Sequence, residues 1–321
     1  MIYRKGNETL TNYLPYIITG GVFSLPVLTG SLVWLCFLAP LPVFYYLISL
    51  GQIEGTKVII KAAVIAGILA IIAQVMPVVI FSFSLIPVGF ILAGSLKRQE
   101  SPIKAAIKAV IYVAATWSLL VFALSSVQHT NLYGEMLYNI DQGLLAAFEN
   151  YRLSAQLPPA TLLEIEAAFT ELRQIVPRIF PGLLVMTVVG MVWTNLISGD
   201  WLLKRKVRLS TWDDFRYWRL PEPLVWGVIV AGLLLFTTEN LLSGISMNVL
   251  IVLGLAYFFQ GLAVLTFLME RWTVPLPVKG FLYLLLVVQA YGILILMVLG
   301  LTDVWLDFRK PKPAADKPED K

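Results

Sequence analysis

DWLLKRKVRLSTWDDFRYWRLPE (200–222) stands between two apolar runs, about 179–200 and 223–242. It carries Lys204, Arg205, Lys206, Arg208, Arg216 and Arg219 against only Asp200, Asp213, Asp214 and Glu222. A helix crossing a bilayer core of about 30 Å needs about 20 apolar residues, so a charged stretch flanked by two such runs reads as a connection between membrane spans. Basic residues in short connections stay on the cytoplasmic side, and this loop therefore orients the chain.

The rest of the chain repeats the pattern. Of 321 residues, 58% are hydrophobic and 14% charged, where a soluble domain would be about a quarter charged. The apolar residues gather in helix-length blocks, not in the roughly ten-residue alternation of a transmembrane barrel. The fold class is all-α: a polytopic transmembrane helical bundle of about nine helices (eight to ten), with a short amphipathic cytoplasmic helix and an amphipathic helical outer insert. The net charge of +4 follows from basic cytoplasmic loops in a charge-poor chain and implies no nucleic-acid partner. Cys36 is the single cysteine, which excludes an intramolecular disulfide and argues against thiolate metal binding.

Nine spans are expected, near 10–27, 31–50, 57–75, 77–96, 107–127, 179–200, 223–242, 247–269 and 279–302. Arg4 and Lys5 before an apolar run resemble a signal peptide, but no A-x-A site follows, so the first helix reads as retained. Pro40 and Pro42 predict a kink or break in the second span, tolerated only where protein satisfies the freed carbonyls. Ala62, Ala66 and Ala70 place small residues on one stripe of the third span, where another backbone can approach. Lys97, Arg98, Lys104 and Lys108 against Glu100 form a second cytoplasmic signature. The stretch His129–Arg178 is acidic, and its apolar residues recur at three and four, predicting outer amphipathic helices with a turn at Pro158–Pro159 and a second helix from Thr161.

The expected organisation is a six-helix bundle over 1–203 that includes the outer insert 128–178, a cytoplasmic basic and aromatic loop at 204–222, three further spans over 223–305, and a disordered tail at 306–321. Starting from a cytoplasmic N-terminus, nine crossings put Arg309, Lys310 and Lys312 outside, against the positive-inside tendency. An external tail and a count wrong by one both stay open. The localisation expected is the bacterial inner membrane, with the N-terminus and the 204–222 loop cytoplasmic and 128–178 outside.

No catalytic constellation is present. His129 is the only histidine, and G-x-S-x-G, H-E-x-x-H and Walker patterns are missing. Gly300-Leu301-Thr302-Asp303 approaches an intramembrane aspartyl protease signature but lacks its second glycine and a partner aspartate on another span. No enzymatic activity, cofactor or metal is expected. Polar groups in spans are costly and usually face the bundle interior. Gln74, Asn195, Glu239, Gln260 and Gln289 are therefore the candidate ligand-binding residues, with interhelical hydrogen bonding as the plainer role. In the basic loop, Ser210 or Thr211 with Asp213 or Asp214 has the geometry of a capped short helix. Trp212, Phe215, Arg216, Trp218 and Arg219 then form an interfacial anchor or a docking face for a partner.

WDDFRYWRLPEPLVW (212–226), NVLIVLGLAYFFQGLAVLTFLMERW (248–272) and GLTDVWLDFRK (300–310), with APLPVFYYLISLG (39–51), resemble the YybS-like family of bacterial membrane proteins, domain of unknown function 2232. The resemblance implies a multi-pass fold and names no chemistry. The N-terminal helices are also distantly similar to substrate-binding subunits of energy-coupling-factor transporters and, more loosely, to the rod-shape protein MreD. Those transporter subunits contact a partner membrane protein through a small-residue stripe. That similarity implies binding or transport of a small molecule with partner subunits. The alternative is a non-catalytic scaffold in an envelope or signalling complex, lodged in the lipid bilayer and docking a membrane or cytoplasmic protein through 204–222.

Overall fold

The computed structural model describes residues 3–154, 158–207, 212–237 and 239–310. The described residues form helices joined by short connections, with no strand among them: α1 (Tyr3–Leu28), a 3-10 run (Gly30–Leu38), α2 (Pro40–Ser49), α3 (Gln52–Ala73), α4 (Met76–Lys97), α5 (Pro102–Gln128), α6 (Leu132–Ser154), α7 (Pro159–Leu202), α8 (Leu224–Leu234), α9 (Asn240–Arg271), α10 (Leu276–Val288) and α11 (Ala290–Leu306). Five helical stretches are long and apolar enough to cross a membrane: 52–73, 76–97, 102–128, 161–207 and 241–271. Two bent pairs bring the number to seven if each is one span. Tyr13–Leu28 and Leu224–Leu234 are apolar but shorter. All nine expected spans thus coincide with apolar helical segments, although two are short and two are bent.

The chain divides into two compact units, the first comprising Met1–Pro177 with Thr187–Trp212 and the second Arg178–Met186 with Asp213–Lys321. In the first unit, the Pro-rich second span breaks as expected. A 3-10 run gives way to α2 with a bend of 41°. Near the break, the Phe37 carbonyl accepts the Asn195 amide of α7 at 2.7 Å. A bilayer offers that carbonyl no water, so the donor must come from a neighbouring helix.

The small-residue stripe is used inside the chain. Ala62, Ala66 and Ala70 of α3 are buried, α3 packs on α1, and Val27 of α1 joins Ala70 and Val79 in one core cluster. The other backbone that approaches the stripe is thus α1 of the same chain.

The acidic insert is a helical hairpin. Phe148 of α6 meets Phe169 of α7 with ring centroids 5.4 Å apart. Arg173 grips Asp141 through Nε and Nη2 at 2.5 and 2.9 Å. That hydrogen-bonded pair holds the Asp141 carboxyl below its ordinary value. The boundary expected between insert and sixth span, at 178/179, does not exist as a break. α7 runs for 44 residues, about 66 Å at 1.5 Å per residue, roughly twice the thickness of a bilayer core.

In the second unit, α9 is the central helix, with α8 and α11 packed on it; α10 packs on α11 and meets α9 where the Thr266 and Tyr283 hydroxyls lie 2.8 Å apart. α10 and α11 meet at an angle of 104°, so the ninth expected span is not a straight crossing.

A charged cluster where loop, helix and C-terminal segment meet

The C-terminal motif builds the site. α11 ends at Leu306, where Asp307 adopts a left-handed conformation (φ 43°) and its N–H donates to the Asp303 carbonyl at 3.1 Å. The reversal turns Phe308 and Arg309 back toward the last helical turn. The Phe308 N–H donates to Asp303 Oδ1 at 3.2 Å, and Arg309 Nη2 donates to Asp303 Oδ2. Both charged side chains are 1% exposed.

Two other segments complete the cluster. Gln260 of α9 is 2% exposed; its Nε2 donates to Asp303 Oδ2 at 3.1 Å. Its Oε1 accepts the Leu220 N–H at 3.1 Å. Arg309 Nη1 donates to the carbonyls of Trp218 at 2.7 Å and Arg216 at 3.2 Å. Loop, central helix and C-terminal segment are thus joined in one hydrogen-bonded circuit. The three sequence motifs of the second half meet here.

The glycines beside it set the approach of the helices. A Cβ on Gly261 would fall on the Leu296 carbonyl oxygen, and one on Gly300 on the Tyr257 carbonyl oxygen. Only glycine lets α9 and α11 come this close.

Around the buried pair lies an outer ring of ion pairs. Arg216 bonds Asp214 at 3.0 Å and also Glu270, and Arg219 bonds Asp307. Phe215 stacks on Trp218 with centroids 6.3 Å apart and planes 16° apart; Tyr217 packs edge-on to Phe267 at 5.8 Å.

Taking two charges out of water costs several kcal/mol per ion, and their attraction offsets this only with good geometry and satisfied hydrogen bonds. Desolvation pushes the Arg309 guanidinium down from its ordinary value, opposed by its bond to Asp303. A guanidinium nevertheless stays protonated in proteins. Such a pair adds little net stability. Its geometric consequence is that 216–220 is held in one shape.

The expected amphipathic helix in this loop reduces, among the described residues, to a single 3-10 turn, Phe215–Tyr217, without a side-chain cap. Ser210 and Thr211 lie outside the described residues. Pro221 and Pro223 follow within six residues, and the loop's backbone bonds go to Gln260 and Arg309 instead of an internal ladder. Phe215, Arg216, Trp218 and Arg219 stay together. Trp212 belongs to the first unit, where its indole N–H donates to the Glu100 carbonyl at 2.7 Å and its ring lies 5.9 Å from that of Phe44.

The five candidate ligand residues take different places within their own units. Gln260 is in the cluster, and Asn195 holds the helix break in the other unit. Gln74 is exposed at the left-handed C-cap of α3 (φ 58°), Glu239 is exposed at the N-cap of α9, and Gln289 is exposed at the junction of α10 and α11.

The composition of 306–321 predicts a disordered tail, yet Arg309 is buried against Asp303. One signal could have paired them. An aspartate in the last turn of an apolar helix opposes the negative end of the helix dipole, so it needs a cation nearby, and Arg309 is the first one to follow. The tail beyond Lys310 lies outside the described residues. Through Arg309 and Asp307, the end of the described chain sits beside 216–219, on the same side of its unit as that loop.

Helices of this length and apolarity define a polytopic helical membrane protein. The chain belongs to the family of predicted membrane proteins designated domain of unknown function 2232, whose model matches residues 16–304. No curated protein and no solved structure matches it, so the likeness to energy-coupling-factor subunits finds no counterpart there.

Proposed function

We propose that this is a non-catalytic, multi-pass protein of the bacterial inner membrane that docks a cytoplasmic protein on its rigid 214–220 loop. The observation carrying this reading is the buried Asp303–Arg309 pair that bonds the loop's carbonyls. Such a pair is a poor device for net stability and a good one for specifying a single conformation. The loop it fixes presents Tyr217, 53% exposed, and Arg219, residue types common in interface hot spots. Binding or transport of a small molecule has weaker support, because Gln74, Glu239 and Gln289 are exposed at helix ends while Asn195 and Gln260 bond groups of the chain itself.

In this reading the N-terminus and the basic loop face the cytoplasm by their charge, and the outer hairpin faces away. The C-terminal segment shares the loop's side because Arg309 and Arg219 tie the two together. The number of complete crossings is then even, and Arg309 and Lys310 conform to the positive-inside tendency.

The test is photo-crosslinking in native membranes from a reactive residue at Tyr217. A discrete cytoplasmic adduct that disappears in Arg309→Met supports docking on the fixed loop. Absence of any protein adduct from both Tyr217 and Arg219 positions refutes it.

A further inference from the structure

One end of the first unit carries a concentrated positive field. Lys97 at the end of α4 reaches Gln52 at the start of α3 at 2.9 Å. Trp212 bonds the Glu100 carbonyl, fixing the α4–α5 loop. The same end holds Arg98, Lys104 and Lys108 and, on the π-helical turn Leu203–Val207, Lys204, Arg205 and Lys206. Acids offset part of this: Glu100 takes Lys108 at 2.6 Å and Arg98 at 3.3 Å, and Asp200 takes Lys204 at 2.8 Å. The surplus stays positive, and the Glu100 carboxyl is held low mainly by its bond from Lys108.

The arrangement along α5 is more specific than the charge. Lys104, Ile107, Lys108 and Ile111 recur at three and four, and all are exposed. They form one outward stripe, with the ammonium groups at the helix start and two isoleucines descending from them. Only 6% of the apolar window of α5 is buried within the chain. The stripe begins at a helix N-terminus, where the dipole also favours negative charge. Nearby, Trp201 is 53% exposed and carries Arg205 5.1 Å from its ring centroid, an aromatic at headgroup depth beside a cation.

We propose that this stripe binds one anionic phospholipid, with its phosphate headgroup on Lys104 and Lys108 and an acyl chain along Ile107 and Ile111. A neutral zwitterionic lipid would satisfy the isoleucines but not the surplus cations. A free phosphate would satisfy the cations and leave the isoleucines without a partner. The shape of the stripe therefore matches an amphiphile of net negative charge.

The experiment uses the full-length protein in phosphatidylcholine nanodiscs and titrates a fluorescent phosphatidylglycerol. Preference for phosphatidylglycerol over labelled phosphatidylcholine is expected. Replacing two surface cations in K104Q/K108Q should lower that preference roughly 30-fold, each contributing about fivefold near an anionic surface. K104R/K108R should retain it, which separates charge from folding, and R152Q in the outer hairpin should leave it unchanged. Loss of preference in the arginine variant, or its persistence in the glutamine variant, overturns the assignment. Displacement of the labelled lipid by equimolar glycerol phosphate or inorganic phosphate also overturns it, in favour of a soluble phosphate site.

Discussion

Replacing Arg309 by methionine removes the cation that, among the described residues, bonds the Asp303 carboxylate, itself 1% exposed. It also strips the donors from the Trp218 and Arg216 carbonyls, now held at 2.7 and 3.2 Å. Asp303 keeps Gln260 and the Phe308 N–H, so its charge is partly solvated by dipoles but not neutralised. Breaking a buried pair from one side costs about 3–5 kcal/mol. At about 2–4 °C per kcal/mol, the rate for units somewhat larger than this one, the midpoint should fall by at least roughly 6–20 °C. The assay is thermal unfolding of the detergent-purified protein, with the midpoint compared at one heating rate. The double variant Asp303→Leu/Arg309→Met should recover most of the loss, because an apolar pair removes the stranded charge. Its loop should nonetheless be cut faster by protease at 213–222, since the carbonyls of 216 and 218 lose their tether. A shift below about 2 °C in Arg309→Met, or losses that simply add in the double variant, would refute the buried and coupled pair.

Three further outcomes follow from other contacts. Gly300→Ala should destabilise the second unit by more than a usual overpacking loss of about 1–3 kcal/mol, because its Cβ meets the backbone carbonyl of Tyr257; an unchanged midpoint contradicts the close crossing. Asn195→Leu should cost about 1–2 kcal/mol by leaving the Phe37 carbonyl without its 2.7 Å donor, read as the same midpoint shift. The hairpin pair titrates: Asp141 is held low by Arg173, so its contribution is complete above the ordinary carboxylate value of about 3.9 and is lost as pH falls through the lowered one. Spin labels at Tyr138 and Leu172 should keep one separation at neutral and mildly acidic pH and spread only in strong acid; spreading near neutrality would contradict the pair.

The apolar blocks were legible because a span is set by length and hydropathy, and the break at Pro40 followed from a missing donor. The continuity of α7 was not, since hydropathy registers the change from water to lipid while the helical ladder passes through it unbroken. The Ala62/Ala66/Ala70 stripe announced close packing but could not name its partner, which is α1 of the same chain. Gln260 was legible as a costly polar group within a span. Its role depends on Asp303, 43 residues on, and on Leu220, 40 residues before, contacts with no local signature. Arg309 was hidden by its neighbours: the charged, proline-rich run after it has the composition of a tail, and only the turn at Asp307 folds it back.

The central claim is that the C-terminal segment is bonded to the basic loop and so lies on the same face of the membrane. Single cysteines at Asp213, Lys310 and Leu163, in a Cys36→Ser background, can be reacted in intact cells with a membrane-impermeant maleimide. The account predicts that 310 behaves like 213, reacting only after permeabilisation, while 163 reacts at once. Labelling of 310 from outside together with 163 would contradict it.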